Sequence, residues 1–242
     1  MKYREFVYQN KIIRGFFYEG TCRELVIVVH GFTGNKVDHH RMLKTFTEEI
    51  VFCGYAAYRF DFLGNGDSDG EFFEEEGIAH RIDQMLYLVN EFQKEGYKVH
   101  LLGFSLGGVI CAHVARSKRI ESMVLLSPAG NFPEIIDQMC GDSKGMPEVN
   151  GFQVNPEFIE EAKSFPYFEG IEDCCSLIKL IQGTKDQYVS KESLENFRRC
   201  FPESETVMVE GADHCYSSAR FTEAVRKEIR NFYGKISQTK KI

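Results

Sequence analysis

Hydrophobic positions along this chain alternate between short apolar runs and longer segments with helical spacing. The runs have the length of buried strands, and the segments between them repeat apolar residues every three or four positions. This alternation predicts a mostly parallel sheet with helices on both faces, preceded by an antiparallel hairpin. The eight predicted strands are Arg4–Tyr8, Ile12–Tyr18, Glu24–His30, Tyr55–Phe60, Tyr97–Leu102, Met123–Ser127, Ser176–Gln182 and Thr206–Glu210. The predicted helices are Asp38–Cys53, Glu74–Glu95, Val109–Ala115, Lys191–Cys200 and Ser217–Phe232.

One long segment interrupts this alternation between the sixth and seventh predicted strands. Five of the six prolines lie in it, from Pro128 to Pro166, together with six aromatic residues. A loop of this length inside a compact domain is usually functional. We therefore predict an inserted lid over about residues 128–170, within a single domain spanning residues 1–242. The alternative is a helical excursion whose aromatic residues pack into an ordinary core.

Charge and composition limit the classes of molecule that this protein is expected to bind. The net charge of −7 argues against nucleic acid and anionic membrane surfaces. The amino terminus has no signal-peptide apolar region, and no apolar stretch is long enough to span a bilayer. The eight cysteines form no C-x-x-C pattern, which favours reduced thiols in a cytoplasmic protein over disulfides or a zinc site. A homodimer remains an open alternative.

The junction between the fifth predicted strand and the helical run from Val109 carries a serine between two glycines. Gly103 and Gly107 stand two positions before and after Ser105. A sharp turn from strand to helix strains the central residue, and a Cβ at either flanking position would collide with its neighbours. In this context, G-x-S-x-G is typical of a nucleophile elbow. The alternatives are a glycine-rich turn with an idle serine and a dinucleotide-binding loop, whose second glycine is missing here.

A serine hydroxyl becomes a strong nucleophile only when a base takes its proton, and that base needs a carboxylate partner. Around such an elbow the chain order is serine, acid, histidine, with each residue in a loop after a strand. Asp186 follows the seventh predicted strand and His214 follows the eighth. We predict these two as acid and base. Asp173 precedes its strand and Asp213 adjoins the histidine, so both are weaker candidates. The other histidines in predicted helices or strands are His39, His40, His80, His100 and His113.

The tetrahedral intermediate of acyl transfer also needs backbone N–H donors for its oxyanion. One candidate is the N–H of Leu106, directly after the predicted nucleophile. The other is the N–H of Phe32, in the loop that follows the third predicted strand. His30, at the start of that loop, is interpreted as a residue that shapes the loop rather than as a base.

A second motif resembles an EF-hand calcium loop. The residues at its ligand positions 1, 3 and 5, its glycine position 6 and its ligand position 12 are Asn65, Asp67, Asp69, Gly70 and Glu76. The first ligand should be aspartate, however, and the preceding segment is strand-like rather than helical. We therefore favour a tight glycine-rich loop over Asp61–Gly70, and no metal or cofactor.

Five motifs in this order, His30–Gly34, Asp61–Gly70, Gly103–Gly108, Gly183–Asp186 and Gly211–His214, together resemble an α/β-hydrolase serine esterase. The chain is most similar to the bacterial cinnamoyl/feruloyl esterase group. The resemblance implies an α/β-hydrolase fold, the three catalytic residues and two oxyanion donors named above, and an insert that shapes acyl specificity. Four aromatic residues of the insert are the candidates for substrate contact: Phe132, Phe158, Tyr167 and Phe168.

The resemblance implies hydrolysis of small esters with cinnamoyl-type or short acyl groups, without a cofactor. Enzymes of that group grip phenolic hydroxyls with polar residues of the insert, and Phe158 is the candidate replacement for such a residue here. Within the same fold, the alternatives are a thioesterase, a monoacylglycerol lipase and a peptidase for small substrates. From a different class, such folds also serve as non-catalytic ligand sensors.

Overall fold

The computed structural model describes residues 1–141, 146–172, 174 and 177–239. Its strands are β1 (Lys2–Tyr8), β2 (Lys11–Tyr18), β3 (Glu24–Val29), β4 (Ala56–Phe60), β5 (Lys98–Phe104), β6 (Met123–Leu126), β7 (Glu148–Val149), β8 (Phe152–Gln153), β9 (Ile178–Gly183) and β10 (Glu205–Val209). Its helices are α1 (Met42–Phe52), α2 (Phe72–Glu75), α3 (Ile78–Lys94), α4 (Leu106–Ser117), α5 (Phe132–Cys140), α6 (Pro156–Ser164), α7 (Lys191–Cys200) and α8 (Ala219–Thr239). A 3₁₀ turn, His39–Arg41, precedes α1.

Eight of the strands form one sheet in the order β1-β2-β4-β3-β5-β6-β9-β10. The β1–β2 and β2–β4 pairs are antiparallel and the remaining pairs are parallel. The predicted eight-stranded, mostly parallel sheet is therefore confirmed. Two predicted positions, the rival carboxylate Asp173 and the strand start Ser176, lie outside the described residues.

Strand β3 explains how the sheet comes to be covered on both sides. Its residues Leu25 to Val29 are all buried, and successive side chains of a strand point to opposite faces. Leu25, Ile27 and Val29 belong to the apolar cluster that contains α3 and α4, whereas Val26 and Val28 belong to the cluster that contains α1 and α8. The continuous apolar run predicted this two-sided burial correctly.

The predicted helix Glu74–Glu95 is wrong as a single element. Helix α2 ends at Glu75, and the backbone is extended at Glu76 and Gly77 before α3 begins. The new start is stabilised by Glu161 of α6, whose carboxylate accepts hydrogen bonds from the N–H groups of Ile78 (3.0 Å) and Ala79 (2.8 Å). A carboxylate from elsewhere in the chain thus caps the first turn of α3, which local periodicity does not reveal.

The segment between β6 and β9 leaves the sheet and contains α5, the β7–β8 hairpin and α6. Its aromatic residues Phe132, Phe158 and Tyr167 are buried within the larger apolar cluster. Residues 142–145 of the predicted insert lie outside the described ranges. Across the helices that the structure describes, none has both the length and the apolar character needed to cross a membrane.

The cysteines of the described ranges are free thiols, and they are spread over the core and the surface. Cys111 is buried in α4 and Cys140 in α5, whereas Cys22 is exposed. Burial raises the pKa of the Cys53, Cys140 and Cys200 thiols above their usual range. These side chains therefore act as small core or near-surface residues. Cys175 lies outside the described residues.

Candidate active site

Ser105 occupies the junction between β5 and α4 with φ 55° and ψ −122°, a conformation that L-residues rarely adopt. The two flanking glycines make this turn sterically accessible. A Cβ on Gly103 would lie 2.4 Å from the Gly107 carbonyl oxygen, and a Cβ on Gly107 would lie 2.5 Å from the Val29 carbonyl oxygen. Larger residues at either position would therefore force the junction apart. The strained elbow predicted for Ser105 is what the backbone adopts.

Loops after β9 and β10 bring two side chains to Ser105. The Nε2 atom of His214 lies 3.1 Å from the Ser105 Oγ atom. The Nδ1 atom of His214 lies 2.9 Å from Oδ2 and 3.1 Å from Oδ1 of Asp186. All three side chains are largely buried. The structure thus brings together the three residues that the sequence predicted, in a hydrogen-bonded series from carboxylate to imidazole to hydroxyl.

The Asp186 carboxylate is held in its ionised form by its surroundings. Burial alone would raise its pKa, but the hydrogen bond and charge of His214 and two backbone donors outweigh burial and lower it. Those donors are the N–H groups of Tyr188 (3.0 Å) and Val189 (2.9 Å), both to Oδ1. An ionised Asp186 favours a proton on Nδ1 of His214, which leaves Nε2 free to accept the serine proton. The rival Asp213 instead accepts from the Ser217 N–H.

The two predicted oxyanion donors belong to segments next to Ser105. Leu106 is the first residue of α4, so its N–H has no partner within the helix. Gly31 packs against Ser105 so closely that a Cβ on it would lie 3.0 Å from the Ser105 Cβ atom, and Phe32 follows it directly. Among the described residues, neither the Phe32 nor the Leu106 N–H donates to a protein acceptor.

His30 shapes the loop that carries Phe32. Its Nε2 atom accepts a hydrogen bond from the Phe62 N–H (3.1 Å), so the proton of the neutral ring is on Nδ1, which donates to the Gly31 carbonyl (2.8 Å). Complete burial, together with the nearby Arg81 charge, lowers the pKa of His30 well below its usual value. The ring is therefore neutral and has both nitrogens engaged, as a loop-shaping residue requires.

A cavity of about 190 Å³ opens beside Ser105 and His214. Helix α5 forms an apolar wall through Phe132, Ile135 and Met139, and the rest of the lining includes polar groups of the loop after β3 and of the Gln187 region. The cavity can therefore hold a ligand that has both an apolar and a polar part.

Of the four insert residues predicted to contact substrate, Phe132 lines this cavity. Phe158 is stacked on Phe32 with ring centroids 5.3 Å apart. Tyr167 donates its hydroxyl to the Ala162 carbonyl (2.7 Å), and Phe168 packs against a core ring of α7. None of these three residues lines the cavity.

Ile135 and Met139 were missed by the sequence reasoning, although a signal for them exists. They follow Phe132 at intervals of three and seven residues, the spacing of one face of a helix. Tyr188, two residues after Asp186, also lines the cavity, and its ring contacts that of His214 at 5.4 Å. No local pattern distinguishes it from other loop residues.

Asp38 is a further cavity residue that the sequence reasoning did not identify, because it was placed inside a helix. It precedes the 3₁₀ turn with φ 60°, and its Oδ1 atom accepts from the His39 N–H (2.7 Å). Burial raises the pKa of this carboxyl despite that hydrogen bond. Within the described part of the chain, its Oδ2 atom has no hydrogen-bond partner.

The acidic residues of the glycine-rich loop do not converge on a single point. Asp61 accepts from the Lys36 N–H (2.6 Å) and the Asp67 N–H (2.8 Å), and the Lys36 ammonium group contacts both carboxylates. Asp69 pairs with Arg14. Across the described ranges, no three histidine, cysteine or acidic side chains are arranged to hold a metal ion. The loop joins β2 to the loop after β3 by ion pairs.

Comparison with known proteins places this arrangement in a family. The family model described as alpha/beta hydrolase fold matches residues 24–169. No curated protein matches the sequence. The structure of Est1E from Butyrivibrio proteoclasticus with bound ferulic acid is similar, with a TM-score of 0.81, 22% identity and coverage of 96% of this chain and 97% of that one.

Two further solved structures have the same fold. Mouse alpha/beta hydrolase domain-containing protein 10 gives a TM-score of 0.76 at 17% identity, covering 98% of this chain and 100% of that one. A monoacylglycerol lipase from Paleococcus ferrophilus gives 0.68 at 18% identity, covering 92% and 98%. At these identities, the likeness establishes the fold rather than a substrate. The family match covers more than half of the sequence, and the chain belongs to the α/β-hydrolase fold family.

Proposed function

We propose that this protein is a serine carboxylic ester hydrolase that acts through an acyl-enzyme on Ser105. The observation that carries the proposal is the hydrogen-bonded series Asp186–His214–Ser105, with 2.9 Å and 3.1 Å between the bonded atoms, beside a cavity. A non-catalytic ligand sensor would have no need of the strained backbone at Ser105, which costs stability.

Acylation follows from the positions of these atoms. The Ser105 Oγ attacks the ester carbonyl carbon and forms a C–O bond while His214 Nε2 takes the hydroxyl proton. The resulting oxyanion is stabilised by the N–H groups of Phe32 and Leu106. As the intermediate collapses, the bond to the alkoxy oxygen breaks, and His214 returns the proton to the departing alcohol.

Deacylation repeats these steps with water as the nucleophile. His214 takes a proton from water, the hydroxide oxygen bonds to the acyl carbon, and the bond to Ser105 Oγ breaks. The proton then passes from His214 to the serine oxygen, and the carboxylic acid leaves. Asp186 stays ionised throughout and stabilises the imidazolium at each stage. No cofactor takes part in these steps.

The substrate class proposed is an ester with a small aromatic or short acyl group. The wall of Phe132, Ile135 and Met139 offers apolar surface in the cavity beside Ser105, which suits a small aromatic or short acyl group. The likeness in fold to Est1E, whose structure holds ferulic acid, also supports an aromatic acyl group. A thioesterase, monoacylglycerol lipase or peptidase activity would use the same three residues on a different leaving group.

A panel of substrates run with the wild type and with Ser105→Ala tests the proposal. Ethyl ferulate, p-nitrophenyl acetate, a monoacylglycerol and an acyl thioester would be compared by kcat/KM. We expect the first two to be the better substrates, and we expect Ser105→Ala to fold normally and lose at least about 10⁴-fold in kcat. Retained turnover in Ser105→Ala would contradict the proposal. Failure of a fluorophosphonate to label Ser105 in folded protein would favour the sensor alternative.

A further inference from the structure

The carbonyl oxygen of Gly31 accepts hydrogen bonds from three donors. They are the Gly34 N–H (3.2 Å), His30 Nδ1 (2.8 Å) and Arg81 Nη1 (3.1 Å). A carbonyl oxygen has two lone pairs, so three donors saturate its capacity to accept hydrogen bonds. Together they hold the oxygen in one orientation. The Gly31 carbonyl and the Phe32 N–H belong to the same planar peptide and point in opposite directions. Whatever fixes the Gly31 oxygen therefore also fixes the direction of the Phe32 N–H.

Arg81 is the donor that reaches this peptide from outside the loop. It belongs to α3, is 1% exposed, and its guanidinium group lies 4.7 Å from the centre of the Phe62 ring. Its Nη2 atom pairs with the buried carboxylate of Glu76, in the extended link between α2 and α3. The guanidinium is thus held on one side by Glu76, while its other arm donates to Gly31.

A contribution to the stability of the fold does not account for the presence of this buried ion pair. Within the described residues, the Nε atom of Arg81 and the Oε1 atom of Glu76 have no hydrogen-bond partners. A buried pair with unsatisfied polar atoms recovers little of its desolvation cost, and replacement by apolar residues is often neutral or stabilising. Replacing the Arg81–Glu76 pair by apolar residues would, however, remove the charged donor to the Gly31 carbonyl.

We propose that Arg81 is a positioning residue that orients the Phe32 N–H toward the oxyanion by holding the Gly31 carbonyl in the opposite direction. Glu76 keeps the guanidinium in place for this role. The inference rests on the proposed function, because an oriented donor matters only if a negative charge develops next to Ser105. Arg81 touches neither substrate nor Ser105, and it acts through one peptide.

The test uses Arg81→Gln and Arg81→Lys, with Arg59→Gln as the matched control. Arg59 is also buried and also donates to a backbone carbonyl, that of Lys36 at 3.2 Å, but it does not contact the Gly31 peptide. For each protein, kcat and KM for p-nitrophenyl acetate would be measured per active site titrated with a fluorophosphonate. The inhibition constant of a trifluoromethyl ketone, whose serine adduct carries an oxyanion, would be measured alongside.

We expect Arg81→Gln to lower kcat by roughly 10- to 100-fold, less than the 10²–10³-fold that follows outright removal of a donor. KM should change by less than about threefold, because ground-state binding does not use the oxyanion donors. The ketone inhibition constant should rise by the same factor as kcat/KM falls. Arg81→Lys, which keeps a charged donor, should recover part of both, and Arg59→Gln should leave both near the wild-type values.

The inference is overturned if folded Arg81→Gln keeps wild-type kcat per titrated site and wild-type affinity for the ketone. A purely structural role would lower the melting temperature and the number of titrated sites without moving either value. If Arg81→Gln does not fold, Arg81→Lys carries the same comparison. A wild type that neither turns over esters nor reacts with the fluorophosphonate would overturn the proposed function first, and this inference with it.

Discussion

The loops at the carboxyl ends of the strands and the segment between β6 and β9 contribute to the site in different ways. Ser105, Asp186 and His214 each follow a strand by at most a few residues, so the strand order fixes where they meet. The insert acts through contacts distant in sequence, such as Phe158 stacked on Phe32. Local backbone geometry thus sets the chemistry, whereas long-range packing sets the shape of the cavity.

The largest effect on activity is expected from a substitution at a strand end, with the segment between β6 and β9 unchanged. Asp186→Asn should lower kcat by about 10³- to 10⁴-fold, because a neutral amide no longer favours the His214 tautomer that accepts the serine proton. Asp213→Asn is the matched control, since Asp213 adjoins His214 but caps the Ser217 N–H instead. We expect Asp213→Asn to keep kcat within a few-fold. Steady-state kinetics at pH 7.5 would show whether the two variants separate.

A second change tests whether the elbow depends on steric fit. A Cβ at Gly103 would meet the Gly107 carbonyl oxygen at 2.4 Å, so Gly103→Ala should lower the free energy of unfolding by at least about 2 kcal/mol. Gly234→Ala in α8 provides the control, because a Cβ there meets nothing within 4 Å and alanine favours a helix by about 0.5–1 kcal/mol. Urea unfolding measures both, and equal stability of the two variants would contradict this account.

The residues at the strand ends were predictable because their signals are local. Gly103 and Gly107 are required by contacts within the turn itself, and Asp186 and His214 follow predicted strands in the order that such an elbow requires. The sheet was predictable for the same reason, since five consecutive buried residues in β3 form a continuous apolar run. Each of these features depends on residues a few positions apart.

The insert was less predictable because its contacts join residues far apart in sequence. The break between α2 and α3 depends on Glu161, more than eighty positions after the residues it caps. Phe158 and Tyr167 were expected at the substrate but do not line the cavity. The sequence could not show this, because an aromatic side chain looks the same in sequence whether it lines a cavity or packs in the core. Arg81 reaches the Gly31 carbonyl across fifty positions.

Two buried histidines, one associated with each region, should make the free energy of unfolding fall at acid pH. Complete burial lowers the pKa of His30 in the strand-end loop, and burial also lowers that of His113, which contacts the insert through the Tyr167 carbonyl. Below about pH 6.5 the unfolded chain takes up protons at both residues, whereas the folded protein does so only at lower pH. The stability that the two neutral histidines contribute should therefore be fully present above that pH. Below it, the free energy of unfolding should fall as the pH drops, by at most about 1.4 kcal/mol per pH unit for each histidine.

His30→Asn should flatten this pH dependence more than His113→Asn does, because His30 is completely buried and His113 is 6% exposed. Each variant's baseline stability changes as well, so the slope with pH is the quantity to compare rather than the value at one pH. Urea unfolding between pH 5 and 7.5 gives the slopes. Parallel curves for the wild type and His30→Asn would show that His30 protonates as readily in the folded protein as in the unfolded chain.

The smallest expected effect lies where the two regions touch. At the tip of the β7–β8 hairpin, Asn150 donates through Nδ2 to the Thr33 Oγ1 atom (2.9 Å), in the loop that carries Phe32, and both residues line the cavity. An exposed hydrogen bond contributes about 1 kcal/mol, so Asn150→Ala should raise KM by no more than about fivefold and leave kcat within twofold. In a double-mutant cycle, adding Thr33→Val to Asn150→Ala should cause little further change in KM. Fully additive effects would mean that the hairpin and the loop act on the cavity independently, whereas a large fall in kcat would mean that the insert also positions the reacting groups.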